Sequence, residues 1–398
     1  MLVDGILGFL DSKAIIVIHG ARQVGKSSLM KYLIDNHIKE NYLYVDLEIL
    51  EFLDLCEKGP ESVYKYILER GMDKNKKIFL LIDEIQYLKN PSNFLKLFHD
   101  HYENVKLIVS GSSSFDIKKK FKDSLVGRTV NFELFPLSFE EFLQFKEKKY
   151  TLKEDNTEKT NNEIIPLFEE YIFFGGYPLL ALEDSSDKKK IILSQIVNTY
   201  VRKDIRDLGG IKDIDSFNKL IEALASQSGN ILNMNELSNT IGINRATVKE
   251  WLFLLEATYI IKLVKPFHKN FRSELTKNPK IFFIDTGLMH LLHLKSFPKV
   301  ISGNSFETAF FSDLLKNQQK VNFWRTTNKQ EIDFIVKKDS GENLAIENKL
   351  NFQQAKLSNL KFFKEKYGGE AYVVSIYGKK NSIEKRYPWE IIAKIMQK

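Results

Sequence analysis

The chain has 398 residues, 43% of them hydrophobic and 28% charged, which suits two to four domains with their own cores and excludes an intrinsically disordered chain. Its formal net charge of +7 is dispersed and only mildly favours an anionic partner, and Cys56, the single cysteine, excludes an internal disulfide. No apolar run approaches the roughly 18 residues of a membrane span, and no basic region or cleavage site marks the N-terminus, so a cytoplasmic protein without membrane contact is expected.

Ala14-Ile-Ile-Val-Ile18 is rich in β-branched residues and predicts a buried strand. Gly20-Ala-Arg-Gln-Val-Gly-Lys-Ser27 follows and fits the phosphate-binding pattern G-x-x-x-x-G-K-[ST]. Leu29, Tyr32, Leu33 and Asn36 then recur at helical spacing between Ser28 and Ile38. Strand, glycine loop and helix are the context that motif needs. Backbone N–H groups of Gly20, Ala21, Arg22, Gln23, Val24, Gly25, Lys26, Ser27 and Ser28 would cradle phosphates at a helix N-terminus. Lys26 would reach the β- and γ-phosphates of ATP, and the Ser27 hydroxyl would ligate Mg²⁺.

Tyr42–Asp46 reads as a second strand and Glu61–Arg70 as a helix. Lys77-Ile-Phe-Leu-Leu-Ile-Asp83-Glu84 is an apolar strand ending in two carboxylates, the Walker B pattern: Asp83 would hold the Mg²⁺ shell and Glu84 would orient the attacking water. Val105–Ser114 ends a strand in hydroxyls, where Ser112 or Ser113 would sense the nucleotide, or else form an ordinary turn. Asp116–Val126 reads as a basic helix. Arg128, ahead of the strand Thr129–Glu133, is either a finger stabilising transition-state charge, in cis or across a subunit boundary, or a surface arginine. Alternating strands and helices predict an α/β domain over 1–135 with a parallel sheet, its ligand site at the strand carboxyl ends.

A helical lid is expected over 136–225. Ser138 and Glu141 form a capping-box pattern, 147–163 reads as an exposed loop, and Tyr171-Ile-Phe-Phe-Gly-Gly-Tyr-Pro178 as a packed turn near the nucleotide. Arg202 and Lys203, on a long helix over Ile191–Asp207, read as a solvated face or a second phosphate sensor. Residues 226–300 have a helix-turn-helix look: Asn235 would cap a short helix, Gly242 makes the turn, and Asn244 caps a second helix. Tyr259–Val264 and Lys280–Ile284 would be strands of a wing. Arg245, Thr247 and Lys249 would face a DNA major groove, although Glu250 and Glu256 on the same helix favour a packing module.

Residues 301–398 read as helix, three strands, helix, strand and helix. With a hairpin turn at Ser340-Gly341, Asp333 lies about opposite Glu347, and Glu347 and Lys349 share a face because strand periodicity is two. Glu307 would approach from the first helix. Asp333 and Glu347 as metal ligands, with Glu307 and Lys349, make an inventory for metal-dependent phosphodiester hydrolysis. Cross-strand ion pairs would use the same residues. His99 and His101 fall on different helix faces, and His290 and His293 lack further ligands.

These motifs together resemble the bacterial and archaeal AAA-type (STAND-like) P-loop ATPases with a C-terminal region of uncharacterised function. The resemblance spans nearly the whole chain. It is carried by Gly20–Ser27, Leu81-Ile-Asp-Glu-Ile-Gln86, Ser110-Gly-Ser-Ser113, Gly127-Arg128, Phe135-Pro-Leu-Ser138, Gly175-Gly-Tyr-Pro178 and Tyr200-Val-Arg-Lys-Asp204. Further along, Phe283-Ile-Asp-Thr-Gly-Leu288, Phe306-Glu307, Trp324-Arg325, Glu331-Ile-Asp333 and Ile346-Glu-Asn-Lys349 extend it. It implies an ATPase core, a winged helix, and a C-terminal domain similar to the PD-(D/E)XK nuclease fold. Glu307, Asp333, Glu347 and Lys349 would be the nuclease-site positions. Asn348 departs from that pattern, where such groups often carry an apolar residue.

Two functions are therefore expected. One is a Mg²⁺-dependent ATPase coupled to binding or cleavage of double-stranded DNA. The other is a slow ATP-driven switch whose nuclease-like domain only binds, with a protein partner or a second copy of the chain. A protein-remodelling ring is weaker, since no aromatic pore-loop pattern stands out.

Overall fold

The computed structural model describes residues 2–111, 125–267, 278–326, 328, 330–338, 340–355 and 357–396. Two compact units divide the chain, one of Met1–Phe135 with Ala257–Tyr259, the other of Pro136–Glu256 with Ile260–Lys398. Ser112, Ser113 and nearly all of the helix expected over 116–126 lie outside the described residues. Among the described residues no helix is long and apolar enough to cross a membrane.

The first unit is a P-loop NTPase fold. Its sheet consists of β1 (Ile15–Gly20), β2 (Tyr42–Asp46), β3 (Ile78–Asp83), β4 (Val105–Gly111) and β5 (Thr129–Leu134) in the order β2-β3-β4-β1-β5. Every pairing is parallel. β1 is buried at all six positions because helices cover both faces of the sheet. Val17, Val45, Leu80 and Val109 pack in a core with Val63, Ile67, Leu95 and Phe98. Ile16, Ile18, Leu81 and Ile108 pack in another with Met30 and Leu33 of the helix after the glycine loop. Parallel pairing brings the carboxyl ends of β1, β3 and β4 to one edge. The helix Leu50–Glu57, absent from the sequence reading, precedes the expected one, which spans Pro60–Glu69.

The second unit begins with helices. Ser138 accepts from the Glu141 N–H while the Glu141 carboxylate accepts from the Ser138 N–H, the expected capping box. The loop expected over 147–163 is shorter, because Thr157 caps a helix that starts at Glu158. The Gly175-Gly176 turn that ends it is a structural junction: Asp285 accepts from the N–H groups of Gly176 (2.7 Å) and Leu288 (2.9 Å). Lys316 donates beside it to Leu137 O and Tyr171 Oη. Arg202 donates to Glu222 at 3.3 Å, an ordinary surface pairing.

Helices Met234–Ile241 and Arg245–Ala257 are followed by an antiparallel ribbon of β6 (Ile261–Val264) and β7 (Lys280–Phe283). The first helix is capped by Asn233, two residues earlier than expected, since its side chain accepts from the N–H groups of Asn235 and Glu236. Asn244 caps the second through Thr247 N–H, and the Thr247 hydroxyl bonds the same Asn244 oxygen, which turns Thr247 to capping. Arg245 and Lys249 are exposed.

The chain ends in a mixed sheet of β8 (Val321–Arg325), β9 (Glu331–Lys337), β10 (Asn343–Asn348), β11 (Glu370–Val374) and β12 (Lys385–Arg386). Its order is β12-β11-β10-β9-β8, with β9 antiparallel to β8 and β10, and β11 parallel to β10 and β12. The lid helices and this sheet share one core, in which Phe139, Phe168 and Tyr171 join Phe306, Phe334 and Trp389. The boundaries read at 225 and 300 thus fall inside one unit.

Candidate functional site

In the first unit the glycine loop turns through left-handed backbone at Gln23 and Gly25 (φ 61° and 101°) into the helix Lys26–Leu33. No side chain caps that helix, so its first N–H groups stay available to an anion. A Cβ at Gly25 would meet nothing within 4 Å, whereas one at Gly20 would lie 2.0 Å from Leu134 O. Gly25 therefore serves the conformation of the loop, and Gly20 the close approach of β5.

Lys26 is buried and donates to Ala21 O (2.9 Å) and Gly20 O (3.4 Å), the loop's own carbonyls. Burial pushes its ammonium below the usual lysine range, and the charges of Glu84 and Asp83 pull it back. Asp83 is 2% exposed at the end of β3. Its Oδ2 accepts from Tyr44 Oη at 2.7 Å, and its Oδ1 accepts from the Ser110 hydroxyl and the Glu84 N–H. Burial first, then the bond to Asp83, raise the Tyr44 pKa and keep that hydroxyl a donor. Glu84 has left-handed backbone (φ 56°, ψ 48°), rare for a residue with a side chain. Its carboxylate accepts from the Gln86 amide.

The structure thus brings Lys26, Ser27, Asp83 and Glu84 to one edge. It adds Tyr44, Ser110 and Gln86, which sequence reasoning did not single out for the site. Hard oxygen donors beside a lysine and uncapped N–H groups suit a magnesium-bound triphosphate.

Arg128 is not brought there. Ile15 N–H donates to Arg128 O at the amino end of β1, while Gly20 pairs with Leu134 at the other end. A strand of that length spans about 17 Å. The Arg128 guanidinium forks onto Asp100, at 3.0 and 3.2 Å. That pairing, with the His99 bond, holds the Asp100 carboxyl down at about 2. The expected cis finger is therefore corrected, because Arg128 is on the wrong end of its own sheet.

The second unit assembles Glu307, Asp333, Glu347 and Lys349. The β9–β10 ladder pairs Ile346 with Phe334, which leaves Glu347 opposite Asp333 at the next step. Lys349 Nζ lies 2.7 Å from Glu347 Oε1 and 3.9 Å from Asp333 Oδ2. Asp333 Oδ2 also accepts from the Asn348 N–H at 2.8 Å. Two residues complete the centre that the sequence reading missed. Lys280, 3% exposed at the start of β7, places Nζ 3.1 Å from Glu307 Oε1, 2.7 Å from Glu331 Oε1 and 3.7 Å from Asp333 Oδ1. Glu331 in turn lies 3.4 Å from Arg325. Burial and then the Asp333 charge push Glu307 up to about 8 and Glu347 up to about 7, against Lys280 and Lys349 respectively. Burial opposes the Lys280 charge, but Glu307, Asp333 and Glu331 outweigh it and hold the ammonium above the usual lysine range. Among the described residues, no group of three or more His, Cys, Asp or Glu is arranged to hold a metal ion. Both side-chain amide atoms of Asn348 are buried without a hydrogen-bond partner there.

Among the described residues no histidine metal site emerges. His290 Nδ1 faces Phe173 O and Nε2 faces the Ser305 hydroxyl, a neutral imidazole in the core, and burial lowers its pKa to about 4.

Three family models match successive stretches of the chain. An AAA domain family matches residues 12–143, a domain of unknown function (DUF8612) residues 165–299, and a second (DUF4143) residues 302–393. A Walker-type ATPase of Pyrococcus abyssi is a similar solved structure, with TM-score 0.43, 13% identity, and coverage of 73% of this chain and 93% of that one. An uncharacterised protein of Methanocaldococcus jannaschii is 26% identical over 343 residues, 84% of this chain and 75% of its own length. An uncharacterised protein of Haemophilus influenzae is 30% identical over 344 residues, 84% of this chain and 82% of its own length. The chain belongs to the family of this Haemophilus influenzae protein and carries an AAA domain of the P-loop ATPase type.

Proposed function

We propose that the chain is a Mg²⁺-dependent ATPase whose nucleotide state controls DNA binding or processing by its second unit. The observation that carries the ATPase reading is the convergence of Lys26, Ser27, Asp83 and Glu84 at the carboxyl edge of one parallel sheet. The loop N–H groups and Lys26 bind the β- and γ-phosphates, and Ser27 and Asp83 hold the metal. Bound Mg²⁺ neutralises charge on the phosphates. Glu84 orients the attacking water, and the Gln86 amide fixes Glu84 until the site fills. Lys26 leaves its loop carbonyls for the nucleotide, trading two neutral acceptors for charged ones.

A helix–turn–helix with Arg245 and Lys249 exposed precedes a two-stranded ribbon, the order of a winged helix. A carboxylate–lysine centre follows in the C-terminal sheet, as in a PD-(D/E)XK nuclease. Steady-state ATP hydrolysis with and without duplex DNA tests the coupling. Turnover that rises with DNA supports it, and turnover indifferent to DNA contradicts it.

One observation favours a second reading, a slow switch with a non-cleaving C-terminal half: Lys280 already occupies the carboxylate centre. Absence of DNA cleavage by the wild type with Mg²⁺ or Mn²⁺ supports that reading. Cleavage lost in Asp333→Asn contradicts it.

A further inference from the structure

Nuclease-like carboxylates ordinarily gather around a divalent cation. Here the group nearest three of them is an ammonium. Lys280 Nζ meets oxygens of Glu331, Glu307 and Asp333 at 2.7, 3.1 and 3.7 Å. Those are donor–acceptor and ion-pair separations. Magnesium requires oxygens at about 2.0–2.1 Å in an octahedral shell, so an ion could not share the space with Nζ. The ring of Phe323, 5.6 Å from Nζ, closes another side.

The lysine is held there by its backbone. Lys280 pairs with Val264 across the ribbon and bridges to Ile231 on the other side. It belongs to the 165–299 segment, whereas the carboxylates belong to the 302–393 segment. Glu307, Glu331, Asp333 and Glu347 face Lys280, Lys349 and Arg325, four carboxylates against three cations.

We propose that Lys280 is the resident cation of the C-terminal carboxylate centre, an internal ammonium that excludes divalent metal from Asp333 and Glu307. The ribbon thereby decides whether the centre can load metal. The inference goes beyond the ATPase reading, and its test involves no nucleotide or DNA, so either can fail alone.

The experiment is Mn²⁺ binding to the full-length, nucleotide-free protein, read by electron paramagnetic resonance of the free ion. Wild type and Asp333→Asn are expected to bind alike, with no site lost on removing Asp333. Lys280→Met, which keeps the apolar stem, is expected to gain one Mn²⁺ site that wild type lacks. Lys280→Met/Asp333→Asn is expected to lose it. A wild-type site that vanishes in Asp333→Asn would overturn the proposal, as would a folded Lys280→Met that gains none. Should Lys280→Met fail to fold, Lys280→Gln takes its place, and the wild-type comparison with Asp333→Asn stands independently.

Discussion

Two glycines of one motif should fail in different ways when each becomes alanine. A Cβ on Gly20 would lie 2.0 Å from Leu134 O and 3.0 Å from its carbonyl carbon. Both are backbone atoms of β5 at the last rung of the β1–β5 ladder. The strands must part by more than about 1 Å, an overpacking strain of about 3 kcal/mol. For a unit this size that lowers Tm by roughly 10 °C. A Cβ on Gly25 meets nothing within 4 Å, but φ of 101° disfavours any side chain. Such backbone strain is worth about 1–2 kcal/mol, and the loop relieves it by relaxing. The relaxed loop then loses the inward N–H groups that would hold phosphates. Thermal unfolding with and without Mg²⁺·ATP separates the two effects. Nucleotide at 100 times its Kd stabilises wild type by about 2.7 kcal/mol. Gly25→Ala should melt near wild type yet lose most of that increment. Gly20→Ala should melt much lower yet keep a measurable increment. A Gly25→Ala protein with the full ATP shift would refute the assignment of this loop to phosphate.

Three other outcomes follow from the geometry. Asn348→Leu removes two buried, unpartnered polar atoms, so the second unit should gain about 1 kcal/mol, seen as a higher Tm; a loss would mean the amide has a partner. Arg128→Ala should leave ATP turnover within about twofold, because that guanidinium serves Asp100 at the far end of the sheet; a large fall in kcat with intact nucleotide binding would place Arg128 at the site of a second copy. His290 carries a depressed pKa, about 4 in the fold, so the unfolded chain binds the proton more readily. Its stabilisation is complete above the unfolded value near 6.5 and is lost as pH falls through about 4, at most about 3 kcal/mol. Tm should therefore fall more steeply over that range in wild type than in His290→Gln, and parallel profiles would contradict the burial argument.

The strands were legible because helices cover both faces of the first sheet, which makes β1, β3 and β4 almost continuous apolar runs. The glycine loop was legible because its chemistry is local: eight consecutive residues carry both the turn and the lysine. The hairpin also read correctly, since the Ser340-Gly341 turn fixes the register that leaves Glu347 opposite Asp333. What the sequence hid was pairing across distance. Lys280 opens an apolar strand 27 residues before its partner Glu307, and nothing local marks it as more than a surface lysine. Tyr44 fell within an alternating strand, and its tie to Asp83 depends on β2 lying beside β3. Arg128 beside a glycine reads equally as a finger or a surface arginine, and only the strand register puts it at the amino end of the sheet.

ATP hydrolysis by wild type against Lys26→Ala, both purified to the same folded state and assayed with Mg²⁺, tests the central claim most directly. The account predicts measurable turnover by wild type that falls at least about 100-fold in the variant. Wild-type turnover that survives Lys26→Ala, or its absence with and without DNA, would contradict an ATPase at the Gly20–Ser27 loop.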